Sequence, residues 1–326
     1  MRRTAVRLVF GICVAALIAS FSRESSANKL DLAIGRFVNC TENGYCTADN
    51  AAYERFLAEY FFVMSPKLLA PADTLGYSGF YVGLEQTFVP ITNNGSCDPD
   101  DLANSSPWCK ATGPANDKMN SMFMPAIHVR KGLPWSFELG GSLNYLAQSE
   151  VVGIQGEVKW SLFEGYLKGF RGALPNIAAR GSVMRILGTT DLDVTIVGVD
   201  GSMSRPFPIG GQVVLTPYAG FQYIWTLIRT EPVVYRSGDE FYPAQGGQWD
   251  TTMLSGPNLG RMKVFLGFTL KYELLLLTLE GGWGIRQKWN TAIDQGPSGA
   301  ADEFEDQKEA EVGNQFQFSS GIGMDF

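Results

Sequence analysis

The chain has 326 residues and a formal net charge of −7, and only 18% of its residues are charged. An acidic chain is poorly matched to the phosphate backbone of nucleic acids, which excludes a nucleic-acid-binding function. The 37 glycines and 12% aromatic residues are typical of many short strands joined by tight turns.

The first 27 residues have the order of a secretory signal peptide. Three arginines occur within residues 1–7, an apolar run covers 8–19, and small residues occupy 25–27. That run is about twelve residues long, which is too short to span a bilayer. We expect cleavage after Ala27 and export by the Sec route.

A segment with helical character, residues 28–75, precedes the strands. Between Ala51 and Leu69 apolar side chains recur at helical spacing, and Pro66 and Pro71 end the pattern. Three arrangements stay open. The helix packs against the periplasmic mouth of a barrel as a cap, or it plugs the lumen, or the segment adds two strands to a ten-stranded barrel.

From residue 76 to residue 326 the sequence alternates between apolar and polar side chains in segments of about ten residues, the signature of transmembrane strands. No segment holds eighteen consecutive apolar residues. A membrane protein without helical spans must be a closed barrel, because only then is every backbone group paired in lipid. We predict an all-β, antiparallel outer-membrane β-barrel of ten or twelve strands. Ten strands are recognisable, near 80–88, 122–131, 135–145, 152–162, 176–187, 190–200, 212–226, 262–273, 274–286 and 315–326.

The long connections between these strands, about 90–121, 227–261 and 287–314, all follow odd-numbered strands. With both barrel ends in the periplasm, they lie outside the cell. The last strand ends on Phe326 and resembles the closing strand of bacterial outer-membrane barrels. We therefore expect the outer membrane as the location, with its lipid, its lipopolysaccharide and the barrel-assembly machinery as partners; the last of these contacts the Phe326 strand.

Four cysteines remain after the predicted cleavage: Cys40, Cys46, Cys97 and Cys109. The oxidising periplasm permits disulfides, and Cys40–Cys46 with Cys97–Cys109 is the simplest of three pairings. A zinc site is the alternative interpretation, but a single histidine and the wide spacing disfavour it. We predict neither a metal nor another cofactor.

The polar strand faces predict a charged lumen. Its candidate lining residues are Glu85, His128, Arg130, Glu138, Glu157, Lys159, Arg180, Asp193, Lys271 and Glu280. A ten-stranded barrel is narrow, so opposite charges inside it pair. The result is either a filled, salt-bridged interior or a narrow conduit.

His128 is the only histidine. A serine nucleophile needs imidazole to take its proton, and the neighbours of His128 are Val129 and Arg130 rather than a serine. Ser121 and Ser142 are partners by conjecture only. We therefore predict no catalytic residue and no enzyme.

Two patches carry a family resemblance. Residues 178–182 read Ala-Ala-Arg-Gly-Ser, followed by Gly188 and Asp191-Leu192-Asp193, and residues 216–220 read Thr-Pro-Tyr-Ala-Gly. They resemble an uncharacterised family of outer-membrane barrels that is distantly similar to FadL-type transporters of hydrophobic molecules. The resemblance covers about residues 50–326. Because the chain is shorter and lacks the Asn-Pro-Ala signature, FadL's fourteen strands, plug and ligand residues do not carry over.

This resemblance implies passage or binding of small hydrophobic molecules. The residues themselves leave two alternatives, a structural or surface-interaction barrel with partner-binding loops, and a narrow small-solute pore. A carrier requires an apolar pocket that faces the long loops. A structural barrel requires a closed and charge-paired lumen, and a pore requires a continuous charged constriction.

Overall fold

The structure, a computed structural model, describes residues 32, 37–40, 46–48, 50–92, 105–112, 120–162, 175–189, 192–230, 233–234, 248–249, 259–291 and 308–326. Ten antiparallel strands form one closed barrel, in which each strand pairs with its sequence neighbours and the last pairs with the first. The ten-stranded prediction is therefore confirmed. The strands are β1 Phe80–Pro90, β2 Ser121–Leu133, β3 Phe137–Tyr145, β4 Val152–Ser161, β5 Asn176–Leu187, β6 Leu192–Ser204, β7 Val213–Thr230, β8 Arg261–Tyr272, β9 Leu275–Gly284 and β10 Gln315–Asp325.

Two helices and several short strands complete the described structure. The helices are α1, Asn50–Val63, and α2, Pro107–Thr112. Phe207–Ile209 pairs with the start of β7, and three two-stranded hairpins join Val38–Cys40 to Cys46–Ala48, Val233–Val234 to Gln248–Trp249, and Gln287–Thr291 to Lys308–Val312. Within the described part of the chain, neither helix has the length and apolar character needed to cross a membrane.

The outer surface of the barrel is an apolar belt. Strand residues alternate between the two faces, and the outward positions carry large apolar side chains, including Leu139, Val158, Phe221, Leu266 and Ile322, each about half exposed or more. A belt of this size would be unfavourable in water but matches the hydrocarbon of a bilayer. The barrel therefore spans a membrane.

Aromatic pairs border the belt on both sides. Phe137 and Trp160 stack with ring centroids 5.7 Å apart near one end. Phe88 and Phe123, with centroids 4.7 Å apart, lie near the other. Such girdles are typical of the two membrane interfaces.

The two ends of the barrel differ in the length of their connections. One end has short turns, including the 3-10 turn Pro134–Ser136 between β2 and β3, and residues 273–274 between β8 and β9. This end also joins the two barrel termini, because Phe80 and Phe326 exchange backbone hydrogen bonds of 3.0 and 2.8 Å. The long connections lie at the opposite end. Short turns face the periplasm in such barrels, which makes the long-loop end extracellular.

Two sequence expectations need local correction. Trp135 was expected to begin a strand, but it lies in the periplasmic turn with φ 59° and is 76% exposed, so β3 begins at Phe137. The predicted helix over 51–69 is shorter, because α1 ends at Val63. The residue before a proline is disfavoured in helical geometry, and Pro66 follows shortly.

Candidate functional site: the occupied lumen

The outer half of the lumen is mostly apolar and contains α1; the exception is buried Arg261 of β8, which lies 4.6 Å from the Phe62 ring centroid. The inward-facing wall residues there are Val89, Met122, Met124, Met184, Ile186, Val194, Ile196, Ile224 and Ile228. Tyr53, Phe56, Tyr60 and Phe62 of α1 are buried in the same cluster. Apolar side chains occupy most of the circumference of α1 and need burial, which the barrel wall provides.

Two connections on the extracellular side hold α1 in place. The Glu59 carboxylate accepts hydrogen bonds from Trp108 Nε1 at 2.6 Å and from the Thr92 amide at 3.0 Å. Trp108 belongs to α2, in the connection after β1. Trp289, in the connection after β9, donates its indole N–H to Glu54. The helix therefore lies at the long-loop end, and the expectation of a cap on the periplasmic mouth is wrong.

Below α1 the chain continues as an extended segment, residues 64–75, whose backbone the barrel wall binds. The Gln155 side chain accepts from the Lys67 amide at 3.1 Å and donates to the Lys67 carbonyl at 3.2 Å. Arg180 donates to the Leu68 carbonyl at 3.0 Å. Extended peptide groups have no partners of their own, so each buried one needs a partner elsewhere.

The same pattern continues toward the periplasmic end. The Leu69 amide donates to Glu280 at 3.1 Å and the Ala72 amide to Ser204 Oγ at 3.1 Å. Further down, Lys159 donates to the Asp73 carbonyl at 2.9 Å, and the Leu75 amide donates to Glu138 at 3.0 Å. These partners lie on β9, β6, β4 and β3 in turn, so the segment crosses the inner half of the lumen.

Lys67 is the one charged side chain of residues 64–72. Its ammonium group donates to the Val63 carbonyl at 2.7 Å and to Gln317 Oε1 at 3.1 Å. The first bond ties the segment to the end of α1, and the second ties it to β10. Lys67 is buried, and burial of a charge is tolerated only where such partners are present.

A buried ionic network surrounds the segment. Arg180 contacts Glu157 at 3.2 Å and Asp200 at 3.1 Å. The His128 ring lies between two carboxylates, with Nδ1 2.9 Å from Glu85 and Nε2 3.3 Å from Glu157. Unpaired buried charges are strongly unfavourable, and here Arg180 and His128 each lie between two carboxylates.

The network extends to the periplasmic end of the lumen. Lys159 lies 3.0 Å from the Glu138 carboxylate, and Arg130 lies 3.8 Å from it. The Arg130 guanidinium also stacks on Tyr81, 4.0 Å from the ring centroid. Gly323 of β10 makes room for this ring, because a Cβ added there would lie 2.3 Å from it.

Eight of the ten predicted lumen residues lie buried inside the barrel: Glu85, His128, Arg130, Glu138, Glu157, Lys159, Arg180 and Glu280. Lys271 has the inward parity of β8 and pairs with Asp325 at the periplasmic rim, where its side chain is 43% exposed. The ninth position is thus at the edge of the lumen rather than within it.

The sequence predicts Asp193 as a lumen residue, and this prediction is wrong. It lies on the outer surface of β6 and pairs with Arg185 of β5, both nearly half exposed. The inward residues beside it are Leu192 and Val194. Near the extracellular end of β6 the apolar side chains of Leu192 and Val194 point inward toward α1, so the polar side chain between them points outward.

Sequence reasoning missed Gln155, Asp200, Ser204 and Gln222 as lumen residues. Asp200 and Ser204 share the inward parity of Leu192 on β6, and that shared parity is the signal that identifies them. Gln155 and Gln222 each hydrogen-bond the backbone of residues 66–67. This role depends on the crossing segment and has no sequence signal.

The surroundings of His128 are ionic. Ser142 stands opposite His128 in the β2–β3 register, but its hydroxyl accepts a hydrogen bond from Asn144 Nδ2 at 2.8 Å. The two imidazole nitrogens face the carboxylates of Glu85 and Glu157. Across the residues that the structure describes, no group of three or more His, Cys, Asp or Glu side chains is arranged to hold a metal ion.

The cysteines are only partly described. The backbone register sets Cys40 opposite Cys46 in the hairpin before α1. Cys109 is buried in α2, whereas Cys97 lies outside the described residues. Both disulfide pairings stay predictions.

Comparison with known proteins finds no matching family model and no matching curated protein. Solved structures of bacterial outer-membrane proteins are similar at low identity. The outer membrane protein OprG of Pseudomonas aeruginosa is 12% identical with a TM-score of 0.30, over 78% of this chain and 99% of that one. The translocator domain of the autotransporter NalP of Neisseria meningitidis is 9% identical with a TM-score of 0.35, over 87% and 99%. A Pseudomonas aeruginosa FadL homologue is 9% identical with a TM-score of 0.26, over 84% and 97%.

These similarities concern the fold alone. The chain's own features carry the conclusion, namely a closed barrel, an apolar belt bordered by aromatic girdles, and the three longest connections all at one end. Together they identify it as a β-barrel protein of the bacterial outer membrane.

Proposed function

We propose that the protein is a non-enzymatic barrel with a closed lumen, which serves as a structural anchor and interacts with partners through its extracellular side. One observation carries the proposal: the wall of the inner lumen is hydrogen-bonded to the backbone of residues 66–75, from Gln155 at the top to Glu138 at the bottom. The side chains that would line a water path are engaged by the chain's own segment.

The energetic cost of opening supports a resting state that is closed. Removal of the segment would deprive Arg180, Lys159 and Glu280 of backbone partners. Each of these wall groups costs about 1–3 kcal/mol if it is left unpaired in a site that stays buried. This disfavours the narrow-pore alternative.

Passage or binding of small hydrophobic molecules is a second candidate, favoured by the outer chamber. Its wall is apolar and includes Met122, Met124 and Met184, and methionine adapts to ligands of different shape. In this structure α1 fills the chamber, with Phe56 and Tyr60 fully buried. A hydrophobic ligand would have to replace α1, whereas the first candidate needs no such movement.

The remaining partner assignments are also proposals. The apolar belt supports contact with outer-membrane lipid, and the outward row on β10, which includes Phe316, Phe318 and Ile322, supports recognition by the barrel-assembly machinery through the Phe326 strand. Contact with lipopolysaccharide would involve the extracellular end. We assign no cofactor to any of these roles.

Ion conductance of the purified protein in planar bilayers tests the closed lumen. We expect no stepwise conductance from the full mature chain, and stepwise conductance from a variant that lacks residues 28–75. Only barrels whose gel mobility changes on heating, the mark of a folded barrel, are scored. A conducting full-length barrel would refute the proposal.

Native mass spectrometry of the detergent-solubilised protein separates the two candidates. The closed anchor is expected to appear without ligand. A stoichiometric apolar molecule that survives detergent exchange would instead favour the hydrophobic carrier, and its mass would give the substrate class.

A further inference from the structure

We propose that the barrel displays its own N-terminal region at the cell surface, so that the residues ahead of α1 lie outside the cell although the first barrel strand starts in the periplasm. This would be a further function, the presentation of an N-terminal segment through the lumen. It rests on the direction of the chain inside the barrel.

The membrane orientation is the first step. β1 begins and β10 ends at the short-turn end, where Phe80 and Phe326 pair. The connections at that end include residues 134–136 and 273–274, and short turns are periplasmic. A chain that approached β1 from the periplasm would need only a short linker there.

The chain instead reaches β1 from the opposite end. Starting at α1, its contacts descend through the barrel in sequence order. The Lys67 backbone meets Gln155, three residues below the extracellular start of β4. Ala72 then meets Ser204, the last residue of β6 at the periplasmic end. Leu75 meets Glu138 beside the periplasmic turn. The direction from residue 64 to residue 75 is therefore outside to inside.

The chain before α1 stays at the extracellular end. Phe37 is fully buried and packs on Tyr53 and Phe56, with ring centroids 5.3 and 5.8 Å apart. Phe56 in turn contacts Trp108 of α2 at 4.9 Å, and α2 belongs to the long connection after β1. Leu32 packs against the same buried cluster, so the described chain ahead of α1 stays at the extracellular end.

The construction of the outer mouth agrees with this role. Glu54 and Glu59 on α1 are bound by Trp289 and Trp108, from two different long connections. These contacts retain a helix that has entered the lumen. A leader that remained in the periplasm could not make them.

An epitope inserted directly after Asn28 tests the inference in intact cells. We expect an antibody to bind this tag without permeabilisation of the outer membrane, as strongly as it binds the same tag placed in the long connection after β9, between residues 300 and 301. The matched negative control carries the tag between Gly210 and Gly211, in the short connection between β6 and β7. That tag should be detected only after permeabilisation.

Binding to the Asn28 tag only after permeabilisation, at the level of the Gly210 control, would overturn the inference. Folding is checked by heat-modifiable gel mobility, and only folded barrels are compared. If the inserted epitope prevents folding, a biotin-acceptor peptide, which carries one lysine for biotinylation, is inserted at the same point instead. Its accessibility in intact and permeabilised cells has the same two outcomes. Conductance does not enter this test, so its failure and the failure of the closed-lumen proposal are distinguishable.

Discussion

The two halves of the lumen contain parts of one continuous segment, yet their walls have opposite character. The outer wall is mostly apolar around α1, with Arg261 as a charged exception, whereas the inner wall is charged around residues 64–75. The helix pairs most of its own backbone groups, so its surroundings mainly pack against its side chains. The extended segment leaves its peptide groups unpaired, so the wall must supply donors and acceptors. The backbone state of the occupant therefore determines the chemistry of the wall.

The largest expected effect lies in the inner half. Replacing Arg180 with methionine leaves Glu157 and Asp200 without their shared cation. Breaking a buried ion pair by removing one partner costs about 3–5 kcal/mol. We expect a loss of that size in the free energy of unfolding, measured by urea titration in lipid vesicles.

Arg185 on the same strand is the matched control. It pairs with Asp193 on the outer surface, and both side chains are nearly half exposed. Arg185→Met should change the free energy of unfolding by about 0–1 kcal/mol. Equal effects of the two substitutions would mean that the inner network has no special role.

The outer half should respond locally. Phe56→Ala removes a fully buried ring that touches Phe37, Tyr60 and Trp108. The expected loss of stabilising free energy is about 3–5 kcal/mol. It should appear as release of α1 from the lumen rather than as unfolding of the barrel. Hydrogen exchange should show faster exchange in residues 50–63 with the strands still protected.

The exposed neighbour Arg55 provides the control for this helix. Arg55→Ala should leave the exchange of α1 within experimental error of the unmodified protein. If Phe56→Ala accelerates hydrogen exchange equally in α1 and in the barrel strands, α1 is not released independently of the barrel, which would contradict the prediction.

A smaller loss in the free energy of unfolding is expected where the Gln155 side chain binds both the amide and the carbonyl of Lys67. Gln155→Met removes both hydrogen bonds to the Lys67 backbone. Leaving that amide and carbonyl unpaired costs about 1–3 kcal/mol, measurable by the same urea titration. Gln86→Met is the control, because Gln86 bonds Ser320 on the exposed face. If Gln86→Met destabilises the protein as much as Gln155→Met, the hydrogen bonds of Gln155 to the Lys67 backbone make no special contribution to stability.

The smallest effect concerns pH at the extracellular rim. The hydrogen bond from Arg286 lowers the pKa of the Glu311 carboxyl below its ordinary value. A carboxyl whose pKa is lowered by folding contributes stability above its unfolded pKa and loses it as the pH falls through the folded pKa. In Arg286→Met the pKa of Glu311 should rise, as a carbon-detected NMR titration of that carboxyl would report. An unchanged titration would exclude the pair.

The sequence predicted the strands well because lipid imposes a period of two on every spanning segment. It predicted most of the inner network for the same reason, since Glu138, Glu157 and Arg180 alternate with large outward residues. It failed at Asp193, because alternation alone does not tell which face is inward once the lumen holds an apolar helix. The sequence left the position of α1 open among a cap, a plug of the lumen and two added strands, because Glu59 meets Trp108 and Thr92 only through folding of a long connection.

The most direct test of the account is a cross-link between the crossing segment and the barrel wall. The Ala72 amide lies 3.1 Å from Ser204 Oγ, so Ala72→Cys combined with Ser204→Cys should form a disulfide in the folded, membrane-inserted protein. Peptide mapping should recover a 72–204 link in the double variant, and neither single variant, with the same native cysteines, should give it. A folded barrel without this link would contradict an N-terminal segment that fills the lumen.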